Sequence, residues 1–463
     1  MKKIRNAEQL LDKGDSSARE KVLYMLDEVL QEMDAGERIK KIMRLEGDKL
    51  SVGDRCWNLN EKNNIYLLGA GKACNAMAQA VCEILGDRIS HGIIAVKIAE
   101  PDDKYLNTDV YVAGHPLPTE EGVLAAKAMI DLISTADKDD LFISVTSGGS
   151  SALLTFSVDG IPLQDEILAQ DILLKSGANI YEINAVRRHT SRTNGGRLTE
   201  LICNRLGAEL ISLVVSDGVG NPPQEILGEA GEYYGTPFAA DNTTIQDARD
   251  TILNYDLTSK LPSSVVDYVM DDEKIRETPK KFGDKLTTFL IGSVNDTCDA
   301  AEKVAQKIDE NILVLTTFLE GESKDAGYAL AAIAKEVKVF NRPIAAPCYI
   351  VCSGETTTQI DEKPAGSGGP SHELVVSFSI GIDGYSGIAA ASIDTEGTDG
   401  STIYAGGLVD SKTYKNFESM GENPFQALRN HATGEALEAI GDNIFTGNTG
   451  TNLCDFNVIY IDK

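Results

Sequence analysis

At 463 residues the chain exceeds the length at which one hydrophobic core stops growing, so we expect two domains. Its composition, 42% hydrophobic and 25% charged residues, is typical of a folded globular protein and excludes a largely disordered chain. The formal net charge of −28 disfavours partners such as nucleic acid or an anionic membrane surface, because no basic patch is visible that would overcome the acidic field.

The cysteine pattern and the hydropathy indicate the compartment. The eight cysteines form no CxxC pair and several lie in apolar runs, which predicts reduced, packed thiols. The N-terminal "MKKIRNAEQLLDKGD" has no apolar signal core, and no run approaches the roughly 20 apolar residues that span a bilayer. We therefore expect a cytoplasmic protein that does not contact membranes.

The predicted elements begin with a helical stretch to about Leu45, after which short strands and helices alternate. This alternation predicts an α/β fold, with a parallel sheet that carries helices on both faces. The candidate strands are "NIYLLG", "GIIAVK", "VYVAG", "LFISVTSG", "ELISLVVSD", "TFLIGS" and "NILVLTTF". Most are continuous Val, Ile and Leu runs, as expected for strands that are buried on both faces.

The segment 255–284 is the best candidate for a domain boundary, because it is polar, contains two prolines and lacks a strong strand. It divides the chain into a predicted N-terminal domain over residues 1–270 and a C-terminal domain over residues 285–463. The segments "CYIVCSGETTTQI" and "AAASIDTEGTDG" indicate a mixed sheet in the second domain.

Ligands of open α/β sheets bind at the carboxyl ends of the strands, so the loops that follow strands carry the candidate sites. The first is "GAGKA", 69–73, in which Gly69 and Gly71 would let backbone N–H groups approach an anion and Lys72 would add a positive charge. It is neither a Walker A loop nor a full GxGxxG fingerprint, since Cys74 occupies the place of the third glycine. A tight turn with a solvated lysine is the alternative.

The second loop is "SVTSGGSSALL", 144–154, in which glycines and hydroxyl groups follow a buried strand and precede a helix. Such a loop donates several hydrogen bonds to phosphate or carboxylate oxygens. Its candidate anion-binding residues are Ser147, Gly148, Gly149, Ser150 and Ser151. A serine nucleophile is the alternative, but the G-x-S-x-G elbow is absent.

The third segment, "EINAVRRHTSRTNGGRL" at 182–198, concentrates positive charge in an otherwise acidic chain. Its arginines are Arg187, Arg188, Arg192 and Arg197. This local reversal of charge indicates anion recognition or a buried ion network, whereas any single arginine could be ordinary surface charge. His189 alone indicates little, because most single histidines are structural.

The remaining candidates are carboxylates and a second glycine-rich loop. Asp217 follows a strongly apolar strand in "LISLVVSDGVGNP", where carboxylates that bind Mg²⁺ or accept a proton often lie; a helix N-cap is the alternative. In the second domain, "SGETT" carries Glu355, "GSGGPSHE" (366–373) is glycine-rich, and "DTEGTDG" carries Asp399. Together these loops indicate a second surface for an anion and a metal.

Taken in order, eight motifs resemble a known family. They are "GAGKA", "GHPLPTEEG", "TSGGSSALL", "INAVRRHTSRTNGGRL", "SDGVGNPP", "SGETT", "GTDG" and "TGNTGTNL". The chain thereby resembles, over nearly its whole length, the class II glycerate kinases, which are glycerate 2-kinases. The resemblance implies a Rossmann-like parallel α/β/α sandwich followed by a smaller MOFRL-type domain with a mixed sheet, and an active-site cleft between them.

The implied reaction transfers a phosphoryl group from ATP, with Mg²⁺, to the 2-hydroxyl of D-glycerate. The resemblance implies that Lys72 lies near the transferring phosphoryl group, where its charge would offset the charge that develops on the phosphoryl oxygens. The residues expected to bind substrate or phosphate are Gly69, Gly71, the 147–151 loop, Arg187, Arg192 and Arg197. Asp217 is expected to act as a general base or to bind the metal ion. Glu355, Gly368 and Gly369 are expected to bind the nucleotide, and Asp399 to bind the metal ion.

One departure leaves more than one function open: the family commonly shows GRGGRNQE, whereas this chain has "GSGGPSHE", without either arginine. The chain could therefore phosphorylate a related small hydroxy acid. It could instead be an NAD-dependent hydroxypyruvate reductase, or a non-catalytic sensor of an organic acid or sugar phosphate. The expected partners are a small hydroxy acid and a nucleotide, and the apolar helices permit a homodimer.

Overall fold

The computed structural model describes residues 2–101, 103–219, 237–360 and 366–463. The chain divides into two compact units: one is Ala35–Ile291, and the other combines Met1–Asp34 with Gly292–Lys463. No helix in the described ranges combines the length and the apolar composition that crossing a bilayer requires.

Helices and strands alternate along most of the chain. The helices are α1 (Ala7–Leu11), α2 (Ser16–Glu32), α3 (Ala35–Ile42), α4 (Cys74–Leu85), α5 (Glu120–Thr135), α6 (Ser150–Leu153), α7 (Leu163–Leu174), α8 (Ile180–His189), α9 (Arg197–Thr199, continued by the π-helix Glu200–Leu206), α10 (Ile245–Asn254), α11 (Ser263–Met270), α12 (Asn295–Lys307), α13 (Ser323–Phe340), α14 (Pro370–Gly381), α15 (Thr413–Met420), α16 (Pro424–Arg429) and α17 (Thr433–Ile440). The strands are β1 (Met43–Glu46), β2 (Lys49–Val52), β3 (Arg55–Asn58), β4 (Ile65–Ala70), β5 (His91–Val96), β6 (Thr108–Val112), β7 (Leu141–Thr146), β8 (Glu209–Val215), β9 (Leu286–Gly292), β10 (Asn311–Leu319), β11 (Cys348–Gly354), β12 (Ile388–Asp394), β13 (Gly406–Asp410), β14 (Asn443–Ile444) and β15 (Asp455–Ile461). Short 3₁₀ turns lie at Leu59–Glu61 and Gly86–Arg88.

The sheet of the first unit has the order β6-β5-β4-β7-β8-β9. Its register pairs from β6 to β8 are all parallel, as in Ile65↔Leu141. Counted from β4, the order is 3-2-1-4-5-6, which is that of the dinucleotide-binding folds. Strands β4 and β7 are nearly or fully buried because both sheet faces are covered. The predicted Rossmann-like parallel α/β sandwich is thus confirmed.

The switch in strand order lies between β4 and β7. From β4 the chain proceeds outward in one direction to β5 and β6, and then returns to continue on the other side through β7 and β8. The loops after β4 and β7 therefore diverge to opposite faces and leave a crevice at the carboxyl edge. Residues 71–73 and 147–149 lie in these two loops and are therefore candidate ligand-binding residues.

The first unit also contains two parts that the sequence did not predict. Strands β1 to β3 form a small antiparallel sheet, with Met43 opposite Val52, where helix was expected to about Leu45. Helices α7, α8, α10 and α11 bury a hydrophobic cluster of their own, which includes Leu173, Ile183 and Ile252.

The sheet of the second unit is mixed, as predicted, with the order β10-β11-β15-β12-β13-β14. Strands β10 and β11 are parallel, and the remaining pairs are antiparallel. Helix α2 packs on β12, β13 and β15, and buries Val22, Leu26 and Leu30 at helical spacing. Arg19 of the same helix is fully buried and pairs with Asp410 and Asp442.

The predicted domains, 1–270 and 285–463, differ from this division in two places. Residues up to Asp34 belong to the second unit, because α2 covers its sheet with an apolar face and the buried Arg19. Strand β9 belongs to the first sheet, where Leu210 N donates to Lys285 O at 2.8 Å just before β9 begins. The polar segment 255–284 lies close to the boundary between the two units. Strand β9, which follows that segment, pairs with the sheet of the first unit.

Candidate active site

The loops after β4 and β7 bond directly to each other. Lys72 N donates to Gly148 O at 3.0 Å, and Ala73 N donates to Ser147 Oγ at 2.9 Å. Gly71 has φ +135°, and a Cβ there would lie 2.3 Å from Ser147 Oγ, so no other residue fits. The predicted "GAGKA" and "SGGSS" loops therefore form one structural unit at the switch point.

Gly69 has a packing function in the structure, and its predicted role in binding stays a prediction. It lies within β4, where a Cβ would meet Cys74 Sγ and Val145 Cγ2, each at 2.7 Å. Its lack of a side chain lets α4 pack closely on the sheet. Burial raises the pKa of the Cys74 thiol, which therefore stays protonated as a packing group.

Lys72 and His115 converge on Gly149. A Cβ on Gly149 would lie 3.0 Å from Lys72 Cγ, 3.1 Å from His115 Cδ2 and 3.3 Å from His115 Nε2. Gly149 has φ +82°, and both side chains are half-buried. The convergence brings a lysine side chain and an imidazole, which both carry donors suited to phosphate or carboxylate oxygens, to the same turn.

The sequence analysis included "GHPLPTEEG" among its motifs but assigned no role to His115. Strand β6, which precedes His115, does not neighbour β7, and spacing along the chain does not show that the loop turns inward. The only available signal was the position of a histidine shortly after a predicted strand.

Ser150 and Ser151 open the short helix α6, and Ser150 is buried. The segment after α8 is fastened to this turn by polar side chains. Thr193 Oγ1 donates to Leu154 O at 3.0 Å, and Asn194 Nδ2 donates to Ser151 O at 3.5 Å. The arginine segment therefore supports the glycine–serine turn through Thr193 and Asn194.

The three arginines predicted to bind anions contact three different parts of the unit. Arg187 Nη2 donates to Gln170 Oε1 at 3.0 Å, and burial lowers the pKa of Arg187. Arg192 is exposed, pairs with Asp159 at 3.0 Å and stacks over Phe156.

Arg197 Nη2 donates to the carbonyl oxygen of Arg276 at 3.1 Å, and burial lowers its pKa as well. The three side chains do not share a partner among the described residues. Their common role as substrate ligands stays a prediction, and the structure gives each arginine a partner within the protein.

The buried cation of this segment is Arg188, which is 2% exposed. Its Nη1 pairs with Asp241 Oδ1 at 2.7 Å. Burial acts to raise the pKa of Asp241, but the charge and hydrogen bond of Arg188, with further bonds from Thr278 and Thr243, lower it. The predicted possibility of a buried ion network thus describes Arg188. Asp241 was missed, since nothing in its local sequence marks it as a partner.

Asp217 follows β8, just beyond the buried Ser216, whose Oγ accepts from Gly218 N at 3.3 Å. Because β8 pairs in parallel with β7, Asp217 belongs to the same carboxyl edge as the 147–149 turn. This is the position expected for a catalytic carboxylate in an α/β sheet. Residues 220–223 of the predicted "SDGVGNPP" motif lie outside the described residues.

The candidate nucleotide and metal residues Glu355, Gly368, Gly369 and Asp399 belong to the second unit. Asp399 Oδ1 accepts from Ser371 N at 3.3 Å, and Oδ2 accepts from His372 N at 2.8 Å. The ring nitrogen His372 Nδ1 also contacts Oδ2. Asp399 therefore caps the N-terminus of α14, where a negative charge is stabilised.

The glycines of this loop permit close packing. A Cβ on Gly369 would lie 2.3 Å from Asp399 Oδ1, and one on Gly368 would lie 2.5 Å from Thr433 Oγ1. Glu355 follows β11, and its Oε2 accepts a hydrogen bond from Cys454 Sγ at 3.8 Å. A nucleotide contact by Glu355, Gly368 and Gly369 stays a prediction.

Asp455 is the buried carboxylate that the sequence analysis missed in this region. Burial raises its pKa to about 8, and the charges of Asp399 and Glu355 add to the rise, whereas hydrogen bonds from Thr356 oppose it. In the described ranges, no group of three or more His, Cys, Asp or Glu side chains is arranged to hold a metal ion. Both oxygens of Asp399 accept hydrogen bonds from the helix N-terminus, and its role as a Mg²⁺ ligand stays a prediction.

Comparison with known proteins assigns the chain to a family. A family model described as "Domain of unknown function (DUF4147)" matches residues 21–270, and one described as "MOFRL family" matches residues 348–455. A protein named "Glycerate 2-kinase" from Pyrococcus horikoshii is 35% identical over 437 residues, which cover 94% of this chain and 95% of the relative. The chain belongs to the MOFRL family of glycerate kinases. The resemblance drawn from the eight motifs is thus confirmed.

Other family members extend the comparison. A "D-glycerate 2-kinase" of Thermotoga maritima is 34% identical over 394 residues, covering 85% of this chain and 89% of the relative. A crystal structure named glycerate kinase, also from Thermotoga maritima, superimposes with a TM-score of 0.75 at 31% identity, covering 95% of this chain and 98% of the other. A "Putative hydroxypyruvate reductase" of Agrobacterium vitis is 34% identical over 397 residues, covering 85% of this chain and 98% of the relative. Family members therefore carry two different activity names.

Proposed function

We propose that the protein is an ATP-dependent glycerate 2-kinase that phosphorylates the 2-hydroxyl of D-glycerate. The observation that carries the proposal is the position of Lys72, held in the switch-point crevice by the bond from its own N–H to Gly148 O. The names of the relatives from Pyrococcus horikoshii and Thermotoga maritima support the substrate.

Phosphoryl transfer depends mainly on positioning and on electrostatic stabilisation of the transferring group. In the proposed reaction the Lys72 ammonium group binds the phosphoryl oxygens, where its charge offsets the charge that develops on them. The second loop fixes the backbone of Lys72, and Gly149 leaves space beside its side chain. Asp217, at the same edge of the sheet, is the proposed base for the substrate hydroxyl.

Mg²⁺ enters this proposal with the nucleotide. Magnesium sites of kinases usually combine one or two protein carboxylates with substrate phosphates. The described ranges contain no group of three or more His, Cys, Asp or Glu side chains arranged to hold a metal ion, and Asp217 is the proposed carboxylate of the crevice. The proposal also keeps the cytoplasmic location expected from the sequence and the homodimer that the apolar helices permit. Light scattering after size exclusion tests the dimer.

The names of the Agrobacterium vitis relatives make hydroxypyruvate reductase a second candidate. The site favours the kinase, because a dinucleotide fingerprint needs a third glycine for close packing of helix on strand. Here Cys74 is buried at that place, and Gly69 supplies the close approach instead. Oxidation of NADH by hydroxypyruvate in the presence of the protein would favour the reductase.

The test is incubation with Mg²⁺, ATP and D-glycerate, followed by enolase, which consumes 2-phosphoglycerate but not 3-phosphoglycerate. We expect 2-phosphoglycerate, and we expect Lys72→Met to lower kcat by about 10²- to 10³-fold. Lys138→Met is the matched control, because Lys138 is exposed and pairs with its neighbour Asp139. Glycerate binding without ATP consumption would favour a sensor, and near-normal turnover by Lys72→Met would remove Lys72 from the mechanism.

A further inference from the structure

The loop between β6 and α5 reaches an unexpected place. In the first sheet β6 is separated from β7 by β5 and β4, and three strand spacings amount to roughly 14 Å. The ring of His115, which follows β6, nevertheless reaches Gly149, which follows β7. The loop after β6 and the turn after β7 therefore meet at the carboxyl edge of the sheet, where ligands of this fold bind.

Contacts on both sides of His115 hold the β6–α5 loop in place. Gly114 N, directly before His115, donates to Thr119 Oγ1 at 3.1 Å. Farther along, a Cβ on Gly122 would lie 2.8 Å from Leu153 O, so α5 lies directly against α6. The loop is thus fastened to the segment that carries the glycine–serine turn, and His115 is presented at a fixed point.

His115 differs from the other histidines of the chain in its location. The other four lie elsewhere in the structure: His91 contacts Asp109, His189 contacts Glu277, His372 contacts Asp399 and His431 contacts Glu373. His91 also begins β5, at the opposite edge of the sheet. His115 is the one that joins a lysine in the switch-point crevice.

We infer that His115 is a substrate-contacting residue whose Nε2 donates a hydrogen bond to the γ-phosphoryl group that Lys72 binds. The inference rests on the proposed kinase function for the identity of the anion, and on the convergence at Gly149 for its geometry. The imidazole would supply a directed donor at a fixed distance, whereas the lysine supplies a mobile charge on a flexible stem. Two such donors together would orient the phosphoryl group.

Two amide variants of His115 distinguish a contact made by Nε2 from a contact made by Nδ1. In His115→Gln the side-chain amide nitrogen lies near the position of Nε2, whereas in His115→Asn it lies near the position of Nδ1. We expect kcat/KM to fall about ten- to a hundredfold in His115→Asn, as for a lost hydrogen bond to a charged group, and to recover most of that loss in His115→Gln. Equal losses in both variants would indicate a packing role and overturn the inference.

Nucleotide binding tests the same contact without turnover. By calorimetry, His115→Asn should bind ATP about tenfold more weakly while its affinity for ADP stays within about threefold of the wild type. Equal changes for both nucleotides, or none, would overturn the inference. His91→Asn is the control and should resemble the wild type. If the wild type makes no 2-phosphoglycerate, the kinase proposal fails, and the ATP and ADP affinities still decide whether His115 contacts the γ-phosphoryl group.

Discussion

Gly149 gives the sharpest test of the crevice, because a methyl group there would contact both Lys72 and His115. In Gly149→Ala the new Cβ would lie 3.0 Å from Lys72 Cγ and 3.1 Å from His115 Cδ2. Both distances are shorter than an ordinary carbon–carbon contact of about 3.5–4.0 Å, so the side chains must retreat by several tenths of an ångström. The substitution removes no functional group from the protein.

The backbone cost of this change can be measured separately. At φ +82° an alanine adopts the left-handed region, which costs about 1–2 kcal/mol. Gly177, in the loop between α7 and α8, has φ +84°, and a Cβ there would meet no atom of the described residues within 4 Å. Gly177→Ala therefore carries the same backbone strain without the contacts.

We expect the two alanine variants to lose similar stability, about 1–2 kcal/mol in urea unfolding, and to differ in catalysis. Displacement of reacting groups by about 1 Å can cost about a hundredfold in rate, so a smaller shift of Lys72 and His115 should lower kcat/KM about ten- to a hundredfold in Gly149→Ala. Gly177→Ala should stay within about threefold of the wild type. The assay is formation of 2-phosphoglycerate from ATP and D-glycerate.

Equal kcat/KM values in the two variants would refute the reasoning. Such a result would mean that Lys72 and His115 do not act at Gly149. A far greater loss of stability in Gly149→Ala than in Gly177→Ala would contradict the assumed backbone cost. The pair of variants thus tests the geometry and its energetic basis independently.

Two further predictions concern buried and partly buried charges. Arg19→Met leaves Asp410 buried without its cation and Asp442 with Lys13 alone, and should cost about 3–5 kcal/mol in urea unfolding. Lys21→Met, which breaks a partly exposed pair, should cost less than about 1 kcal/mol. Burial acts to raise the pKa of Glu277, but hydrogen bonds from His189, Lys280 and two backbone N–H groups lower it to about 2. A carboxyl group whose pKa is lower in the folded state than its unfolded value of 4.5 stabilises the fold at pH values above 4.5. The difference in unfolding free energy between wild type and Glu277→Gln should therefore be constant above about pH 5 and shrink towards pH 2.

Much of the fold could be predicted from local patterns. The apolar runs at β4, β5, β7 and β8 identify buried strands, and their alternation with helices indicates a parallel sheet. Strand β9 was also found, but its assignment to the second domain was not correct for this structure. Pairing partners depend on contacts that are distant in sequence, which an apolar pattern does not encode.

The N-terminal segment shows the same limit. The periodicity of α2 predicts an amphipathic helix, and Val22, Leu26 and Leu30 are indeed buried. Periodicity does not say which sheet the helix covers. The deciding contacts are those of Arg19 with Asp410 and Asp442, which lie about 400 residues further along the chain.

The candidate site, like the fold, could be predicted from the sequence only in part. Local reasoning selected Lys72 and the 147–149 turn, because a glycine-rich loop after a buried strand has a defined chemistry, and the structure brings the two loops together. For the arginines, the number of charges in a segment does not show where each side chain points. Arg192 faces Asp159 at the surface, and Arg188, which received no role in the site, is the buried one.

His115 and Gly149 show why a site of this kind needs the three-dimensional structure. A glycine at φ +82° is expected in any turn, and a histidine after a strand is unremarkable by itself. Only the meeting of the β6–α5 loop with the turn after β7 brings the imidazole within reach of the lysine loop. Because the β6–α5 loop is fixed by Thr119 and by the close approach of Gly122 to Leu153, substitutions in that loop should act on catalysis through His115 rather than through the sheet.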